Sequence, residues 1–227
     1  MRTLLLLTGQ WTLLLLAMAW AGYVLWLAPL PLAARITAIL LYALGTLLPP
    51  FVRPDRWQGL IVPAILFAAV LSWFFTRAPS NERDWQADVA VLARAEFADD
   101  TVTIHGVRNC DYRTETDYTC RWESRTYNLA DLQTVDLFVI TWGAPGIAHT
   151  IASFGFGEAG YVCFSIETRK EKGEGYSAVK GFFRQYERIY VVADERDIIR
   201  LRTTMRREKV YLYTLKVRPA LARSIFL

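Results

Sequence analysis

Hydrophobic and polar positions divide the chain into two unlike parts. Up to residue 80 the apolar residues run almost unbroken, in three charge-free stretches at 3–34, 36–52 and 57–76. A membrane-crossing helix needs about 20 mostly apolar residues. The first stretch holds one helix and a turn at Pro29, Leu30 and Pro31, and the third fits well. The second is marginal, because Pro49 and Pro50 should end its helix early or leave it in the interface. Trp26, Trp57 and the cluster Trp73, Phe74 and Phe75 fall near span ends, where amphipathic rings favour the headgroup level. Three transmembrane helices are therefore expected. The rival is a signal peptide cleaved after Ala17-Met18-Ala19, and the apolar sequence continuing past Ala19 speaks against it.

Beyond residue 80 the pattern changes to alternation. Residues 80–84 form a short polar linker, and strands are expected at 88–97, 101–110, 120–127, 135–142, 148–156, 161–167, 188–193 and 210–217. Residues 177–185 are the one convincing helical stretch in this run. Residues 167–175 form a charged loop in which Lys170-Glu171-Lys172 is a solvated turn. Pro219 suits the first turn of a closing helix, 219–227. The expected class is α+β with a mostly antiparallel sheet, organised as a membrane anchor (1–79) and a globular domain (80–227).

Charge narrows the picture. Residues 1–80 carry Arg2, Arg35, Arg53, Arg56 and Arg77 against Asp55 alone, and the rest of the chain balances. The formal charge of +4 thus belongs to the membrane part and gives no argument for nucleic acid. With three crossings, Arg2, Arg53 and Arg56 on one side nearly tie with Arg35, Arg77 and Arg83 on the other. The terminal amine tips the domain outward.

The cysteines bear on the same question. Reflecting 101–128 about Glu115 sets Arg113 against Asp117, Tyr112 against Tyr118, Cys110 against Cys120 and Arg108 against Trp122. Opposite charges and paired aromatics are what a true hairpin register shows. Directly opposed residues are close enough for a disulfide, so a Cys110–Cys120 bond is expected, and with it an oxidising compartment. Cys163, left over, reads as a small buried side chain.

Most motif-like strings carry no chemistry. Gly155-Phe156-Gly157-Glu158-Ala159-Gly160 matches G-x-G-x-x-G but runs into an alternating β pattern, so it is a hairpin turn. No P-loop, paired CxxC, HExxH or GxSxG occurs, and with only His105 and His149 neither a metal site nor a cofactor is expected.

His149 is the informative histidine. Alternation puts His149, Ile151 and Ser153 on one face of their strand, and Cys163, Ser165 and Glu167 on one face of the next. A loop centred on Glu158 then opposes His149 to Glu167, and a shift of two would offer Arg169 instead. In the first register a carboxylate orients the imidazole and sets its tautomer, as a general base requires. The plain alternative is a half-buried histidine in an ion pair. A nucleophile is harder to find. Cys163, opposite Ser153, lies about 13 Å along the strand from His149, far beyond the roughly 3 Å of proton transfer. Ser165 is nearer but has no evident activation.

Longer strings carry a family resemblance. They are Asp111-Tyr112-Arg113-Thr114-Glu115-Thr116-Asp117-Tyr118, Ala148-His149-Thr150 with Ser153-Phe154-Gly155-Phe156, and Ser165-Ile166-Glu167-Thr168-Arg169-Lys170-Glu171. Tyr190-Val191-Val192-Ala193-Asp194-Glu195-Arg196 and Val210-Tyr211-Leu212-Tyr213 continue them. Residues 81–215 resemble the family of the Lnb N-terminal periplasmic domain. The resemblance implies a multi-pass protein of the bacterial inner membrane with its globular domain in the periplasm. It also implies a circularly permuted papain-like thiol fold and a link to lipoprotein N-acyl transfer, with His149 on the family's histidine. The partners implied are the lipid bilayer and a lipoprotein or phospholipid acyl donor. The family's nucleophile would lie in an Asn-Cys motif beyond the helix at 219–227. No cysteine here takes that place, so the fold is expected to be incomplete at its C-terminus and this chain inactive by itself. Cys110 and Cys120 depart from the family pattern, which suits a disulfide particular to this protein. A non-catalytic envelope binding module and a cell-wall amide hydrolase on the same fold are the alternatives.

Overall fold

The computed structural model describes residues 2–52 and 56–227, with side chains from Gly9 to Val52 and from Trp57 onward. Two compact units result. One contains Met1–Pro79 with Ser177–Gln185, the other Ser80–Tyr176 with Tyr186–Leu227.

The first unit contains α1 (Arg2–Trp26), α2 (Leu32–Val52) and α3 (Arg56–Thr76). Among the described residues two helices, not three, are long and apolar enough to cross a membrane, Leu32–Val52 and Trp57–Thr76. The expectation of three spans is corrected accordingly. In α1 the described residues include Gly9, Gln10, Thr12, Gly22, Tyr23 and three tryptophans, which dilute its apolar character. The orientation count built on three crossings falls with it. Arg53 and the side chains of Arg2 and Arg56, on which that count leaned, lie outside the described residues. Only 11% and 22% of the residues in the two apolar windows are buried, unlike core helices of a water-soluble fold.

Pro49 and Pro50 do not stop α2, which runs on to Val52. Each removes one backbone bond, so only the carbonyls of Gly45 and Thr46 lose a partner, within a turn of the helix end. They also meet α3 closely: a Cβ on Gly59 would lie 2.9 Å from Pro50 Cα. Of the helical stretch expected at 177–185, α4 (Ala178–Phe182) forms, capped by the Ser177 hydroxyl, which accepts from the Lys180 N–H.

The second unit is an eight-stranded sheet: β1 (Arg94–Ala98), β2 (Thr101–Tyr112), β3 (Tyr118–Asn128), β4 (Thr134–Thr141), β5 (Ala148–Gly155), β6 (Tyr161–Arg169), β7 (Glu187–Ala193) and β8 (Lys209–Thr214). Its order is β1-β2-β7-β6-β5-β4-β8, with β3 pairing β2. Most pairs are antiparallel, but β2 and β7 pair in parallel at Arg108 and Ala193, so the sheet is mixed. The β2–β3 register is the reflection about Glu115, with a bulge at Gly106, whose φ of 74° suits glycine. Residues 88–97 are not one strand. Ala87–Val89 make a single 3₁₀ turn, and the Val89 and Ala90 carbonyls accept from Arg169 rather than from a neighbouring strand. The linker is likewise tied down: Ser80 N–H donates to Glu187, Arg83 pairs with Glu171 and Glu187, and Lys172 pairs with Asp84.

Both faces of the sheet are covered. On one, Val102, Tyr127, Phe154, Phe156 and Val162 pack together with Phe164. On the other, Ile140, Ile151, Cys163, Val191 and Ile198 form a second core. Ile198 belongs to α5 (Glu195–Arg200), a helix hidden in the sequence, capped by Asp194 and followed by a π-helical turn, Leu201–Met205. The first core is closed by α6 (Pro219–Phe226), whose Phe226 ring meets Phe154, Phe156 and Phe164 edge-on at 5.1–5.8 Å.

Candidate active site

The β5–β6 register opposes Ile151 to Ser165 and Ser153 to Cys163. Two residues further out, His149 and Glu167 come together, with His149 Nε2 3.2 Å from Glu167 Oε1. Ser165 sits between them. Its hydroxyl donates to Glu167 Oε1 at 2.8 Å and lies 2.8 Å from His149 Nε2. A hydroxyl has one proton, and here it goes to the carboxylate, so the ring N–H at Nε2 is the donor to Ser165. In the neutral ring the lone pair is then on Nδ1, the nitrogen available as a base.

Glu167 is held further by Arg202 of the π-helical turn, whose Nη2 donates at 2.9 Å. Arg202 also reaches Glu208 through Nη1 at 3.3 Å, and Glu208 accepts from Trp142 Nε1 at 2.9 Å. That last contact follows from the β4–β8 register, which pairs Thr141 with Lys209 and so sets Trp142 beside Glu208. Burial alone would raise the Glu167 pKa. The bond from His149, the charge of Arg202 and the Ser165 hydroxyl outweigh it and hold the carboxyl well below its usual range.

His149, Glu167, Arg202, Glu208 and Trp142 line a cleft of about 750 Å³. Apolar walls come from Val89, Trp142, Ile147, Ile166, Tyr176 and Leu201; Asp88, Glu115, Arg108 and Arg206 add balanced charge. Beside it Arg108 makes a buried two-bond pair with Asp197 of α5, at 2.6 and 3.1 Å, and Asp197 also accepts from the Cys110 N–H at 2.7 Å. Burial works against the Arg108 charge, and Asp197 more than offsets it. Arg202 Nε is buried with no acceptor.

Each cysteine has a definite state. Cys110 and Cys120 are bonded to each other. Cys163 is fully buried, and burial pushes its thiol up to about 12, so it is no thiolate near neutral pH. Ser165 is 1% exposed, and Glu167 contacts the same ring nitrogen as the hydroxyl, so the three do not form a serine triad. Among the described residues no cluster of three or more His, Cys, Asp or Glu could hold a metal ion. Ser165, Arg202, Glu208 and Trp142 are additions to the pair read from sequence. Alternation already set Ser165 on the face of His149 and Glu167, whereas the other three arrive from segments whose pairing is not local.

Residues 118–227, a little under half of the chain, match the model of the Lnb N-terminal periplasmic domain family. The match starts later and ends later than the resemblance read from residues 81–215, and it contains every residue of the His149 network. Together with two helices able to cross a membrane, it agrees with a membrane protein carrying a periplasmic domain. No curated protein and no solved structure matches the chain. The papain-like fold therefore rests on the sequence resemblance alone.

Proposed function

We propose that this is an inner-membrane protein whose periplasmic domain handles acylated lipids at the His149 cleft, with His149 as the proton-transfer group of a thiol acyl transfer. In the transfer that the resemblance implies, a thiolate that none of this chain's three cysteines supplies would attack the ester carbonyl of a phospholipid, and the departing alcohol would take its proton from the imidazolium. An amine of the acceptor lipoprotein would then displace the thiolate and pass its proton to the imidazole. One observation carries the reading: a histidine with its tautomer set by Ser165 and Glu167 stands on the wall of a cleft with apolar sides. The unpartnered Arg202 Nε–H fits an acceptor brought by the ligand. The Cys110–Cys120 bond fits an oxidising compartment.

A second reading, a non-catalytic envelope module that binds lipid or protein in the same cleft, is favoured by the state of the thiols. Two are bonded to each other and the third is buried and protonated. The separating experiment follows lysophospholipid release and acceptor acylation by the 227-residue protein in nanodiscs, beside its His149→Ala variant. Transfer that falls about 10²-fold or more in the variant, the low end of general acid–base effects, establishes catalysis. Lipid binding in the cleft with no transfer by either protein supports the binding module and removes catalysis from this chain.

A further inference from the structure

The chain between β6 and β7 leaves the sheet: Ser177–Gln185 clusters with α1, α2 and α3. We propose that this segment is a membrane-contact element that seats Val179 and Phe182 in the headgroup–acyl boundary of an anionic bilayer.

Its inner side is committed to the helices. The Phe183 ring meets Tyr23 edge-on at 4.6 Å and lies 6.4 Å from Trp20. Arg184 Nη1 donates to the carbonyls of Phe74 and Phe75, at 3.3 Å each, with its guanidinium 5.6 Å from both rings. Those carbonyls belong to the last turn of α3, where backbone acceptors lack partners inside the helix and positive charge is favoured. The segment is therefore fixed at the end of a membrane-crossing helix.

Its outer side is apolar and uncovered. Val179 and Phe182 are three residues apart on α4, so they share a face, and they are 55% and 72% exposed. Phe75, at the same end of α3, is 62% exposed, and Trp73 lies two residues before it. Rings at the end of a span favour the headgroup level, so the Val179–Phe182 face continues the level at which α3 leaves the bilayer. The charge agrees: Lys180 and Arg184 are the segment's only charged residues, and cations beside a membrane are drawn to anionic lipid by about 1 kcal/mol each. The occupant that fits an apolar face flanked by cations at this level is the bilayer surface.

The inference rests on α2 and α3 crossing a membrane. The test uses the full chain in nanodiscs with nitroxide labels at Phe182→Cys, Leu44→Cys on α2 and Glu158→Cys on the β5–β6 turn. Cys163 is buried and the other two cysteines are bonded, so each variant labels at one site. In anionic discs the Phe182 label is expected to favour oxygen over a water-soluble nickel relaxant several-fold more than the Glu158 label, and less than the Leu44 label. Replacing anionic by neutral lipid should move it toward water. A Phe182 label as nickel-accessible as Glu158, with Leu44 in lipid, overturns the membrane-contact element alone. A Leu44 label in water overturns the crossing and the element with it. Insensitivity to lipid charge overturns the anionic preference.

Discussion

In the β2–β3 hairpin the strands reflect about Glu115, and the pair Cys110–Cys120 is closed by a disulfide. In the β5–β6 hairpin they reflect about Glu158, and the corresponding outer pair, His149 and Glu167, stays open as a 3.2 Å contact bridged by the Ser165 hydroxyl. Burial separates the two. The open end of the first hairpin reaches the first core through Val102, Ile104, Val107 and Tyr127, but around the disulfide, among the described residues, the buried cluster is only Cys110, Tyr112 and Leu201 with their partly buried neighbours. In β5 and β6, Ile151, Ser153, Cys163 and Ser165 are all at most 1% exposed. Toward its tip, where little core surrounds it, the first hairpin is held by a covalent link. A hairpin covered on both faces is held by packing, and its polar groups must find partners inside. The second situation is the one that can build a site.

Besides the first core, Asp197 joins the two hairpins, and because it does so through a buried ion pair its removal should have the largest effect. It holds Arg108 and the Cys110 N–H of the first hairpin, while Ile198 next to it packs with Ile151 and Cys163 of the second. Asp197→Ala leaves a guanidinium buried without its counter-charge, a loss of about 3–5 kcal/mol. Urea unfolding of the full protein in detergent would measure it. A double replacement, Arg108→Met with Asp197→Leu, should recover most of that loss, because the buried charge goes with its partner.

The disulfide comes next. It closes a sequence separation of 10 residues, for which loop closure gives about 2–3 kcal/mol. Cys110→Ser with Cys120→Ser should lower stability by that amount, measured in the same way. Because β5–β6 does not depend on the link, backbone amide exchange should rise in 101–128 and hold steady at Ile151 and Ser165. Equal loss of protection in both hairpins would show that the exposed one supports the covered one.

The contrast also marks what a sequence discloses. Both registers were legible, because a hairpin's pairing is symmetric about its turn and charges and rings match across it. That symmetry opposed His149 to Glu167. Absent from the elements expected from sequence is α5, whose cap is Asp194 and whose inward face is Ile198 and Leu201. Arg202 was hidden with it, as were Glu208 and Trp142, which meet only through the β4–β8 pairing. Strand 88–97 failed for the opposite reason: its alternation was real, but its carbonyls serve a buried arginine. The first of the three expected spans was not found among the described residues, where Gly9, Gln10, Thr12, Gly22, Tyr23 and three tryptophans dilute the apolar run of α1.

Glu167 gives the smallest effect and the sharpest one for the site. Its carboxyl is held well below its usual range in the folded protein, so the folded state binds its proton less readily than the unfolded chain does. The sign follows: the stabilisation is complete above about pH 4.5, the unfolded value, and is lost as pH falls toward the depressed folded one. Glu167→Gln removes that dependence. The variant should be less stable than the parent by about 2 kcal/mol at pH 7, with the gap closing as pH falls from 5 toward 3. Unfolding midpoints across that range would show it. A gap that stayed constant with pH would mean that the carboxylate's shape, rather than its charge, orients His149. Glu167→Asp separates these further, because it keeps the charge while drawing it back from Ser165 and Arg202.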